Sequence, residues 1–258
     1  EKASVAKSAG LVQVPLIGLR AGEEISFPVF LERERGSEPV LFADAGRILD
    51  EDKLDRLGDS GIEFSLVPRD KLSLFYRHLE EGLQASLQDE EVGINEKCRL
   101  LHTVALNAAE SLLKKKPTPG NIRRVTGIVE TAVAGLEVDP GLAREVRKML
   151  TGGGELHQHA VNTSLYSLSL GMVVYRGDLE QVRNLALAAL LHDVGRAPRK
   201  PDEEPGLPGT IYGERQYEPD YTHTTRGAQL LMELECCEEA VLAAAEHHER
   251  ADGSGAPQ

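Results

Sequence analysis

The spacing of apolar residues divides the chain into two regimes. From residue 10 to about residue 70 they alternate or gather in short β-rich runs, GLVQVPLIGL, ISFPVFLER and PVLFADAG. A short helical pattern, DEDKLDRLGDSG, then precedes one more strand-like run, IEFSLVP. From Lys71 onward the spacing becomes helical, in LSLFYRHLEEGLQASL and EKCRLLHTVALNAAESLLKKK. After a Pro and Gly break at PTPGN the helical spacing resumes in IRRVTGIVETAVAGL. The expected fold is a small α+β domain over 1–82, connecting helices over 83–150, and an all-α domain over 151–258.

The last region also carries the chemistry. The chain has 8 histidines, and His157, His159, His192, His223, His247 and His248 all follow residue 150. His192 and Asp193 close the apolar helical run LEQVRNLALAALLHD, where Leu185 to Leu191 anchor the helix and Gly195 is expected to let the chain turn away. Imidazole and carboxylate together suit a cation, and a carboxylate can bridge two. A plain hydrogen bond at a helix end is the other reading of such a pair.

Further helix ends offer similar groups. HTTRGAQLL opens a helix with His223, and AVLAAAEHHERADGSGAP ends one with His247 and His248. Neighbouring helical residues point about 100° apart, so these two would contact adjacent cations rather than clamp one. A solvated polar helix end is the alternative. In GGGELHQHAVN, Glu155 and His159 share a helical face if the helix starts at or before Glu155, while His157 points to the surface. Glu155 equally suits the role of a carboxylate favoured by the positive helix N-terminus.

Composition narrows the function classes. The 258 residues are 41% hydrophobic and 28% charged, as in a globular protein, and no run approaches the roughly 20 apolar residues of a membrane span. EKASVAKSAG lacks the apolar core of a secretory signal, so no membrane insertion and a cytoplasmic location are expected. The 3 cysteines include the adjacent Cys236 and Cys237, so three reduced thiols are expected. A net charge of -13 disfavours long nucleic acid, whereas a small phosphate ligand suits the chain if a metal centre supplies local positive charge.

HAVN at 159–162, LLHDVGR at 190–196, HTTRG at 223–227 and HHERADGSGAP at 247–257 together resemble the HD-GYP subgroup of the HD-domain metal-dependent phosphohydrolases. The resemblance implies a bacterial signalling phosphodiesterase that hydrolyses cyclic di-GMP to pGpG, GMP or both. It implies two or three iron or manganese ions on His159, His192, Asp193, His223, His247 and His248. Asp193 would bridge two of them, and Glu155 would be the added carboxylate of trinuclear members. Asp193 and Arg196 would be the catalytic pair, with Arg196, Arg250 and Gly255 binding substrate. The N-terminal region resembles, more distantly, the small domain that precedes some HD-GYP modules, and would be a sensory or docking unit for protein partners; a homodimer is compatible with this reading.

The sequence departs from the family at three places. Arg196 replaces the usual Lys; Arg keeps the charge but is a poorer proton donor. Ala256 replaces the tyrosine of the name motif, and with it a ring that can pack on a base. The sequence ends at Gln258, before the helices that carry another metal-binding carboxylate in the family, so either a longer chain or an incomplete site is expected. The competing function is therefore a degenerate module that binds metal or nucleotide and signals through partners with little or no turnover. The irregular segment 195–221 is expected to border the site as a lid, with an uninvolved surface loop as the other reading.

Overall fold

The computed structural model describes residues 10–32, 37–149, 154–198 and 221–255. Most of the expected lid and Ala256 lie outside the described residues. The chain divides into two compact units, Glu1–Val92 and Gly93–Gln258.

The first unit is α+β. Strands β1 (Leu11–Pro15), β3 (Val29–Leu31), β4 (Val40–Ala43) and β6 (Phe64–Pro68) form an antiparallel sheet in the order β1-β6-β3-β4. Its longest ladder pairs Leu11 with Pro68 through Pro15 with Phe64. A separate two-stranded ladder joins β2 (Glu24–Ile25) to β5 (Arg47–Ile48). Helix α1 (Glu51–Asp59) starts where the Asp50 carboxylate accepts from the Lys53 amide at 3.1 Å, an ordinary N-cap.

Helix α2 (Leu72–Gln88) runs unbroken past residue 82, where the domain boundary is expected. Its buried positions Phe75, Leu79, Leu83 and Leu87 recur every four residues, which makes one apolar face. Phe75 meets Phe27 edge-on, with centroids 5.6 Å apart, so the helix folds with the strands. Arg20 also ties the strand region to the end of this unit through a 2.9 Å hydrogen bond to Asp89. The units therefore divide at Val92, ten residues later than the pattern suggests.

The second unit is all helix among its described residues: α3 (Ile94–Leu113), α4 (Pro119–Val138), α5 (Gly141–Met149), α6 (Leu156–Val174), α7 (Leu179–Leu191), α8 (Thr222–Glu233) and α9 (Glu238–Glu246), with a 3-10 turn at Val194–Arg196. The segments expected to be connectors, α3 to α5, lie inside this unit and pack on α6 and α7. PTPGN works as a start signal: Thr118 caps α4 by accepting from the Asn121 amide, and Pro119 occupies the first turn.

Helices α6 and α7 form the most extensive pair. The buried Ser164 hydroxyl on α6 donates to the Ala186 carbonyl at 2.7 Å, and Leu187, Leu190 and Leu191 are buried on α7. Asn184 then donates to Glu239 at 3.0 Å, fixing α9 to α7. These contacts bring the start of α6, the ends of α7 and α9, and the start of α8 to one place. No described helix is long and apolar enough to cross a membrane.

His102 on α3 gives this unit a pH dependence. Its Nε2 is buried without a hydrogen-bond partner among the described residues, and burial lowers its pKa below the ordinary imidazole value of 6.5. The unfolded chain takes up this proton first, so the contribution to stability is intact above pH 6.5 and is lost as pH falls below it. Urea unfolding between about pH 7 and about pH 5 should show a smaller loss of stability in His102→Gln than in the unaltered protein. Equal losses would assign the dependence to other groups.

Candidate metal centre

Asp193 lies at the meeting point of these helix ends. It follows His192, the C-cap of α7, and opens the 3-10 turn, so the fixed end of an apolar helix sets its position. The residue is only 4% exposed. One carboxylate oxygen, Oδ2, faces His192 Nε2 at 3.4 Å and His159 Nε2 at 4.0 Å. The other, Oδ1, faces His223 Nε2 at 3.3 Å and His247 Nε2 at 3.5 Å. Two groups of metal-capable atoms result: His159, His192 and Asp193 in one, and His223, His247 and His248 in the other.

The backbone orients two of the rings. His192 Nδ1 lies 2.7 Å from the Ala189 carbonyl and His247 Nδ1 lies 2.9 Å from the Ala243 carbonyl. A carbonyl oxygen can only accept, so both Nδ1 atoms carry hydrogen and a neutral ring turns a bare Nε2 toward the carboxylate. Arg196 Nη2 lies 3.1 Å from His223 Nε2, which makes that nitrogen an acceptor also. His223 Nε2 and His247 Nε2 are then 3.2 Å apart with two lone pairs converging. His248 Nε2 is buried with no hydrogen-bond partner among the described residues. Converging bare nitrogens beside a buried carboxylate fit a divalent cation, and backbone-oriented imidazoles are the usual support of such ligands.

Charge reinforces the geometry. Burial opposes ionisation of Asp193, but where His192 and His247 carry a proton on Nε2 as well they donate to it, and these bonds with the charges of His192 and Arg196 outweigh the burial and hold the carboxyl well below its usual range. Burial, then the charges of His247 and His223, lower His248 to about 4. Burial and the charge of His192 lower His159 too. Near neutral pH the centre thus offers an ionised carboxylate and, at His159 and His248, neutral nitrogens.

Several sequence expectations meet a different geometry. Glu155 is the exposed N-cap of α6, which begins at Leu156, so Glu155 does not share a helical face with His159 and lies outside both groups. His157 is half-buried rather than a surface residue, and burial followed by the charges of Glu110, Lys114 and Glu155 shapes its pKa. His247 and His248 converge, with ring centroids 4.2 Å apart, because α9 stops at Glu246 and helical spacing no longer applies. Arg196, expected to face a phosphate, is engaged at the centre itself: Nε donates to Asp193 Oδ1 at 2.7 Å, the two residues being three apart in a tight turn. Arg250, expected to bind substrate, is exposed.

Gly195 meets a steric demand rather than a turn. A Cβ there would fall on the His223 carbonyl oxygen and 2.6 Å from the Gly227 nitrogen. The 3-10 turn and α8 touch backbone to backbone at these two glycines, which carries His223 to Asp193. Gly255 is similar, since a Cβ would meet the His248 carbonyl and the backbone at Glu249 and Arg250. Its amide donates to Glu249 Oε1 at 3.2 Å, and the Arg250 amide donates to the same oxygen at 2.8 Å.

Sequence reasoning missed four contributors: Glu249, the Ala189 and Ala243 carbonyls, and Tyr221, whose ring lies edge-on to His248 at 5.0 Å. The carbonyls carry no sequence signal. The adjacency of Glu249 to His248 was visible, but the loop it closes was not.

Residues 156–257 match the family model of the HD domain, a span that holds all four sequence motifs and both groups of ligand atoms. This segment is an HD domain. HD domains are the fold of metal-dependent phosphohydrolases, and the centre has the histidine and aspartate content of that class. The chain is also similar in fold to a solved HDG"Y"P protein from Bdellovibrio bacteriovorus, at 18% identity and a TM-score of 0.60, over 95% of this chain and 79% of that one. No curated protein matches the chain significantly.

The close approach at Gly195 yields a sharp expectation. Gly195→Ala should separate the 3-10 turn of the HD domain from α8 and reduce metal binding at least tenfold, read by titration with manganese alongside circular dichroism. Gly227→Ala meets its neighbours at 3.2 and 3.3 Å and should cost less. Unchanged affinity in a folded Gly195→Ala protein would refute the positioning role.

Proposed function

We propose that the HD domain is a metal-dependent phosphodiesterase of the HD-GYP kind, with cyclic di-GMP as substrate and pGpG, GMP or both as products. The observation that carries this reading is Asp193, whose two oxygens face two separate sets of imidazole nitrogens. Such an arrangement suits two ions, with His159 and His192 on one side, His223, His247 and His248 on the other, and Asp193 shared. Iron or manganese fits the mixture of imidazole and carboxylate. Ions held there would neutralise phosphate oxygens and make water acidic enough to serve as nucleophile near neutral pH.

The chain's own groups do the holding. Ala189 and Ala243 keep the Nε2 atoms of His192 and His247 aimed at Asp193. Arg196 steadies Asp193 through Oδ1 and is a weak proton donor, so it serves charge and position better than acid catalysis. Glu155, exposed at the α6 N-cap, favours two ions over three.

A second reading, a binding module with little turnover, is favoured by the same arginine, which is engaged with Asp193 and His223 instead of facing outward. Metal-loaded protein separates the two. Release of pGpG or GMP supports the phosphodiesterase, whereas retention of intact cyclic di-GMP supports the module.

Two further outcomes are expected. Protein purified without air should hold at least two first-row ions per chain by elemental analysis, and Asp193→Ala should lose most of them. A metal-free wild type, or a full complement in Asp193→Ala, would refute the centre. Glu155→Ala should keep both its metal and its product ratio; loss of about one ion would restore Glu155 as a ligand.

A further inference from the structure

The motif position that in the family carries a ring is Ala256, yet an aromatic side chain stands beside the centre from another element. Tyr221 is the N-cap of α8, two residues before His223. Its ring lies 5.0 Å from that of His248 at an interplanar angle of 62°, an edge-on contact that leaves ring surface free. His248, itself one of the candidate ligands, lies 5.1 Å from His223 and 4.2 Å from His247, so the phenol borders the ligand group.

The placement is firm at the backbone and open at the side chain. The Tyr221 carbonyl accepts from the Thr224 amide at 3.0 Å and from the Thr224 hydroxyl at 2.8 Å. Thr224 is buried, whereas Tyr221 is 37% exposed. Among the described residues of the second unit, two other rings are exposed. Tyr166 and Tyr175 are also exposed, but on α6 they lie about 10 and about 24 Å beyond His159 along the helix.

From this we infer that Tyr221 is a positioning residue for the base of a nucleotide whose phosphate sits at the Asp193 centre. The inference rests on the phosphodiester reading of that centre and adds the side from which the base is held. A base lies one ribose from its phosphate, and the phenol lies one imidazole, that of His248, from His223 and His247. A half-exposed ring offers the π-face that a base needs, with no demand on base identity.

Binding to the manganese-loaded full chain, measured by calorimetry, tests the inference without requiring turnover. GMP and ribose 5-phosphate share a phosphate and a sugar and differ in the base. The unaltered protein should bind GMP about tenfold more tightly than ribose 5-phosphate. Tyr221→Phe should keep that ratio, and Tyr221→Ala should bring it close to one, with metal content the same in all three. A ratio near one in the unaltered protein, or an undiminished ratio in Tyr221→Ala, would overturn the inference. Loss of the ratio in Tyr221→Phe would assign the effect to the hydroxyl, and loss of metal in Tyr221→Ala would make the ring a prop for His248; either outcome overturns base stacking. A protein with the expected ratios but no hydrolysis of cyclic di-GMP would support the role of Tyr221 while refuting the phosphodiesterase.

Discussion

A buried negative charge organises the second unit. Asp193 is nearly inaccessible, and an unpaired carboxylate in that position would be strongly destabilising. Arg196 donates to Asp193, and imidazoles face it from four helix ends: His159 at the start of α6, His192 at the end of α7, His223 on α8 and His247 at the end of α9. Each partner is delivered by a helix terminus, so the packing of α6 to α9 and the solvation of one carboxylate are the same problem. Apolar anchoring by Leu190 and Leu191 prevents Asp193 from moving to water, and the glycine contact at Gly195 and Gly227 brings α8 within reach.

Much of this was legible because helical periodicity and a terminal polar cluster are both local signals. The run ending in LLHD identified α7 and its two terminal metal-capable side chains together. What sequence could not supply was geometry that depends on where a helix stops. Glu155 and His159 are four apart, but a helix starting at Leu156 leaves Glu155 with extended backbone angles. His247 and His248 would diverge within a helix, yet the helix ends at Glu246 and they meet. An uncertainty of one residue in a boundary thus changes the ligand set, which is the usual resolution of boundaries read from pattern.

The fold shows the same limit at larger scale. Strands β1, β3, β4 and β6 follow the short apolar runs, whereas the β2–β5 pair consists of two residues on each side and leaves no period to detect. The change of spacing at Lys71 marks a change from strand to helix, not a change of domain. Helix α2 belongs with the strands because Phe75 packs on Phe27, a long-range contact with no sequence signature. Arg196 illustrates the point for chemistry: its type suggested a phosphate contact, but three-residue spacing in a tight turn returned it to Asp193.

The net charge of -13 is compatible with an anionic ligand once distance is considered. At physiological salt, charges on the rest of the surface are screened beyond about 8 Å, so the field at the centre is set by its immediate neighbours. Among the described residues, those in contact at the centre are one carboxylate, one guanidinium and imidazoles with the donor set for divalent ions. Two such ions together with Arg196 would exceed the charge of Asp193 by about four, making the centre locally cationic within an acidic protein. The acidic remainder then acts at longer range, disfavouring extended polyanions, while a small phosphodiester meets mainly the local field.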